Sequence, residues 1–113
     1  MKRLVLLTAF SAALAWAQPV AAGHASGQTL HGLCVSPSQY SRGFCAGYVL
    51  AIADALARGA AVDGWTACPP ESVGVGRLRE LVVTYMARRP ESRHLKGESL
   101  VARALSEAFP CKR

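Results

Sequence analysis

Apolar positions recur with a helical period along most of the chain. From about Arg42 to Arg58, Phe44, Tyr48, Ala51, Ile52, Ala55 and Leu56 fall on one broad stripe of a 3.6-residue repeat. Gly59 follows Arg58, a cation and then a residue free to adopt positive φ, which suits a helix C-terminus. A second helix is predicted from about Val75 to Arg88, with Leu78, Leu81, Val82, Tyr85 and Met86 on one side. Arg77, Arg79, Glu80 and Thr84 lie largely opposite, and Pro90 stops it. A third, from about Lys96 to Phe109, presents Leu100, Val101, Ala104, Leu105, Ala108 and Phe109 before Pro110. Thr29 to Val35 reads as a short helix or turn. Ser36 to Ser38, Gly59 to Pro70 and Pro90 to His94 read as connections. No useful alternating β pattern and no internal repeat occurs, so the expectation is a small all-α bundle of three main helices plus the N-terminal element.

The first residues follow a different rule. Lys2 and Arg3 precede an uncharged apolar run from Leu4 to Leu14, and Ala15-Trp16-Ala17 then places small residues where a signal peptidase reads them. Residues 1–22 are therefore expected to be a signal peptide, cleaved after Ala17 or Ala22. A membrane span needs about 20 apolar residues, and Gln18-Pro19 interrupts this run too early. No stable membrane insertion is expected once the leader is removed. Residues 23–113 form the expected domain.

Four cysteines, Cys34, Cys45, Cys68 and Cys111, lie in that domain, with no C-x-x-C spacing. Behind a leader, an even number of thiols in so short a chain points to two disulfides in an oxidising compartment. Three connectivities are open. If helices joined by short connections run antiparallel, the residues before the second main helix lie near those after the third. That favours Cys68–Cys111, with Cys34–Cys45 tying the N-terminal element to the first main helix.

Of 13 basic side chains against 7 acidic ones, Lys2 and Arg3 belong to the leader, which leaves a net charge of +4. The basic clusters have no interleaved aromatic residue to stack on bases, so no nucleic-acid partner is expected. The chain also lacks signals of catalysis or of a cofactor. His24, His31 and His94 have no metal-ligand spacing, no G-x-S-x-G elbow occurs, and Asp54 has no second carboxylate at helical spacing for acid–base work. The reading is a protein that binds and is not an enzyme, with no cofactor or metal.

Two segments stand out as partner-binding candidates. In Val62-Asp63-Gly64-Trp65-Thr66, Trp65 offers a large, rigid contact area and Asp63 stands beside it. In the connection from Arg88 to His94, Arg88, Arg89 and Arg93 can grip carboxylates with two parallel bonds. Any apolar stripe left exposed would suit a homodimer or a partner.

Several short segments then occur in a telling order: Phe44-Cys45-Ala46-Gly47-Tyr48, Ala53-Asp54-Ala55-Leu56, Cys68-Pro69-Pro70-Glu71 and Leu78-Arg79-Glu80-Leu81-Val82-Val83. They continue with Arg89-Pro90-Glu91, Arg93-His94-Leu95, Ser99-Leu100-Val101 and Ala108-Phe109-Pro110-Cys111. From Leu33 to Cys111 the chain resembles the Rap/Tai immunity-protein family. The resemblance implies a small helical periplasmic protein of a Gram-negative bacterium. It further implies protection against peptidoglycan amidases delivered by type VI secretion, through steric occlusion of the enzyme's cleft. The alternative is a periplasmic protein-binding or chaperone-like module with no toxin partner. One position departs from the expected pattern: Gly74 stands where Ser or Thr would cap the second main helix.

Overall fold

The computed structural model describes residues 24–112. The leader and its two cleavage positions lie outside them. Four α-helices form in chain order: α1 (Gly27–Val35), α2 (Gln39–Ala57), α3 (Val75–Arg88) and α4 (Gly97–Ala108). A single 3₁₀ turn, Pro90–Ser92, joins α3 to α4. Among the described residues there is no strand, only isolated bridges, so the all-α expectation holds.

Both disulfides pair as favoured, Cys34 with Cys45 and Cys68 with Cys111. The first is wholly buried and ties α1 to α2, whereas Cys68 and Cys111 lie exposed where the chain enters α3 and leaves α4. Beside that second bridge the Cys68 amide donates to the Phe109 carbonyl at 2.8 Å, so main chain and sulfur make the same connection.

Helix α2 corrects the sequence expectation twice. It starts at Gln39 rather than Arg42, because the Ser38 side chain accepts the Ser41 amide and caps the first turn. Its buried line is Cys45, Val49, Ala53 and Leu56, whereas Phe44 is 47 % exposed and Ala51 lies outside. The helix is rotated by about one residue from the stripe drawn through Phe44. Cys45 must face Cys34 to form the bridge, and that turns Phe44 outward. The predicted end of α2 is observed. Gly59 has φ +91°, its amide donates to Leu56, and Ala60 donates to Ala55, the paired bonds of a Schellman motif.

The core holds Leu30 of α1, Val49 and Leu56 of α2, Val82 and Met86 of α3, and Leu100, Val101 and Leu105 of α4, all with almost no exposure. Complete burial of such a side chain stabilises by about 1.5–3 kcal/mol, so the four helices share one core. Arg79, expected on the polar side of α3, instead reaches across to α1, where a terminal nitrogen donates to the Cys34 carbonyl at 2.5 Å.

The start of α1 is fastened to the segment before α4. Gly27 and Gln28 donate their amides to Leu95 and Arg93, the Ser26 side chain accepts from Thr29, and Gly97 donates to Ala25. Three amides that a helix start leaves without partners inside the helix are thereby satisfied. Contact is too close for a side chain at Gly27. A Cβ there would stand 2.8 Å from the Arg93 carbonyl oxygen and 3.0 Å from Arg93 Cα, both main-chain atoms. Gly27→Ala is expected to cost about 1–3 kcal/mol in urea unfolding, as overpacking does. An unchanged midpoint would refute this close approach.

Candidate partner-binding surface

Two surfaces gather the residues singled out in the sequence. The first is the connection between α2 and α3. Val62 and Trp65 exchange both main-chain hydrogen bonds at 2.9 Å, with Asp63 (φ +50°) and Gly64 (φ +80°) between them. Positive φ at both central positions makes a two-residue turn of the I′ kind, which Asp-Gly favours.

One face of α4 fixes this turn. Ser99, itself buried, donates to an Asp63 carboxylate oxygen, and Lys96 Nζ lies 3.7 Å from the other oxygen. The Arg103 guanidinium lies 5.0 Å from the centroid of the Trp65 ring. Trp65 remains 39 % exposed, so it presents an indole edge on a braced turn. The sequence does not point to Lys96, Ser99 and Arg103 as part of this site. Their 0, 3, 7 spacing on one helix face was visible, but nothing local linked that face to a turn more than thirty residues earlier.

The hydroxyl of Ser99, and after it the Lys96 ammonium, hold Asp63 below its ordinary value of 3.8. A lowered carboxyl pKa stabilises the fold above the unfolded value, and that contribution is lost as pH falls through the folded one. Ser99→Ala is expected to be less stable than the parent near neutral pH, with the gap narrowing in acid below 3.8. Urea unfolding at several pH values tests this, and a gap independent of pH would contradict it.

The second surface is a groove of about 490 Å³ between α3 and α4, floored by Leu81, Tyr85 and Ala104. Arg88 and Arg89 line it, as do Arg77, Glu80 and Glu107. Arg89 lies 4.1 Å over the Tyr85 ring and meets Glu107 at 3.3 Å. Arg93 belongs elsewhere. Its Nε donates to the Met86 carbonyl at 3.1 Å, capping the end of α3, and its charge adds to burial in holding His31 below the usual histidine value. The structure thus brings Asp63 and Trp65 together, places Arg88 and Arg89 in a separate groove, and turns Arg93 toward the scaffold.

A third feature lies on the outer face of α2, where Tyr40 (82 % exposed) and Phe44 are exposed; Leu50, also exposed, lies round the helix beside Pro69 and Pro70. Tyr48, at its edge, donates to Glu98 Oε2 at 3.3 Å, and burial followed by the Glu98 charge raises its pKa to about 12.

Every cysteine is bridged, so no thiol is free as a nucleophile. Among the described residues no three His, Cys, Asp or Glu side chains gather as a metal site, and no helix is long and apolar enough to cross a membrane. The surfaces can supply shape, aromatic area and guanidinium donors.

The family description "Rap1a immunity proteins" matches residues 26–111, most of the chain. The chain belongs to the Rap1a immunity-protein family. Membership in the Rap1a family makes this a binding protein whose kind of partner is a protein effector, in a family that is generally non-enzymatic. The match begins at the Ser26 cap of α1 and ends at Cys111, so it takes in all four helices and both bridges of the Rap1a-family domain. No curated protein and no solved structure matches the chain.

Proposed function

We propose that this protein is a periplasmic immunity protein, exported through a cleaved leader, that binds a peptidoglycan amidase delivered by type VI secretion and occludes its cleft. The observation that carries the reading is the family match across residues 26–111. Two disulfides support an oxidising compartment. Occlusion needs a preformed surface and no chemistry from the inhibitor, which fits an indole held on a braced turn. Asp63 and Trp65 are the proposed central contacts, with Arg88 and Arg89 as a second contact region. A second copy is proposed to dock on the outer face of α2. There Tyr40 and Phe44 are exposed, and no charged residue lies between Arg42 and Asp54. Sedimentation that finds only monomer at high concentration would remove the homodimer.

The test is cell survival when a small Cys–His amidase encoded beside this gene is directed to the periplasm. Co-expression of the full chain is expected to rescue growth, and a version lacking residues 1–22 is expected not to. Absence of rescue, together with capture of many unrelated envelope proteins, would favour the chaperone-like alternative.

A further inference from the structure

The groove between α3 and α4 has the chemistry of a carboxylate receiver. Arg77 meets Glu80 at 3.2 Å through a single terminal nitrogen, and Arg89 meets both oxygens of Glu107 through a single terminal nitrogen at 3.3 and 3.4 Å. A guanidinium carries five N–H donors, so each arginine has further donors to offer. Arg88 forms no ion pair among the described residues. Three guanidinium groups therefore stand against two carboxylates, an excess of positive charge along one groove. The Arg77–Glu80 pair is well exposed and the Arg89–Glu107 pair partly so; surface pairs contribute little, so an incoming carboxylate can share or displace them.

Shape narrows the ligand further. Arg77 and Arg88 lie eleven residues apart on α3, about 16 Å at the helical rise, which matches roughly five residues of extended chain. Between them lie Leu81 and the exposed Thr84, with Tyr85 and Ala104 nearly buried beneath. Arg89, 4.1 Å over the Tyr85 ring centroid, is restrained before anything binds, so less freedom is lost on binding.

We propose that the α3–α4 groove receives an extended acidic segment of the protein partner, its carboxylates on Arg77, Arg88 and Arg89 and an apolar side chain over Leu81. This rests on the reading that the chain acts by binding a protein. It adds the chemistry of the segment bound.

The test uses the mature chain and a capped, fluorescein-labelled five-residue peptide of alternating glutamate and leucine, read by fluorescence anisotropy, with a lysine–leucine peptide as control. Saturable binding of the acidic peptide alone is expected. It should weaken roughly tenfold in Arg88→Glu and in Arg77→Glu, and fall as salt rises. Arg42→Glu, an equal change in charge on α2, should leave binding within about twofold of the parent. Circular dichroism melts confirm that each variant folds. Absence of saturable binding, or equal loss in Arg42→Glu, would overturn the proposal. So would a dimer that Arg88→Glu abolishes, since the groove would then belong to a second copy. No amidase takes part, so failure here leaves the inhibitor reading standing, and failure of that reading leaves this result intact.

Discussion

Serine in place of Cys68 or Cys111 is expected to lower the unfolding free energy by about 4 kcal/mol in the chain-entropy treatment of a cross-link. The bridge joins residues 43 apart, whereas Cys34 and Cys45 are separated by 11. The longer loop restricts the unfolded chain more. Against a typical stability of about 5–15 kcal/mol, that is a large fraction. For a domain of this size it corresponds to a fall in melting temperature of roughly 15–30 °C. Thermal melts of parent and variant under oxidising conditions measure it, and coincident curves would refute the importance of this bridge. Exposure also sets the order of reduction. Cys68 and Cys111 are accessible to a thiolate while Cys34 and Cys45 are buried. Mild reductant should therefore open the C-terminal bridge first, read by alkylation and peptide mapping.

Trp65→Ala is the second large effect, and it should fall on binding rather than on folding. A central aromatic anchor is worth about 2 kcal/mol or more at an interface, which is about thirtyfold in affinity for the proposed partner. Within the free chain the ring is half exposed and meets the Arg103 guanidinium, an interaction of about 0.5–1 kcal/mol at an exposed site. Calorimetric titration against the partner and urea unfolding of the free variant separate the two. Matching losses in both measurements would mean that Trp65 serves the scaffold.

How much was legible in the chain depended on how local each cause was. Helices α3 and α4 carry alternating apolar and charged faces, and Pro90 and Pro110 follow them, so their extents were readable to within a residue or two. Helix α1 was harder, because Gly27 and Cys34 share its buried side with Leu30, and neither residue marks a stripe as leucine does. The rotation of α2 followed from the Cys34–Cys45 bridge, a contact with another element that outweighs the periodic pattern through Phe44.

The candidate surface divides in the same way. Asp63-Gly64 and Trp65 announced a turn with an aromatic beside it. The hold of Ser99, Lys96 and Arg103 on that turn depends on where α4 packs, which no neighbouring residue encodes. Arg93 resembles its arginine neighbours in the sequence, yet its Nε caps the end of α3 rather than joining their groove.

The most direct measurement is inhibitor titration. Purified mature chain is added in steps to a type VI amidase proposed as its partner, while peptide release from purified peptidoglycan is followed. Linear loss of activity, complete near one equivalent, is the predicted result. Full amidase activity in the presence of excess chain would contradict the account.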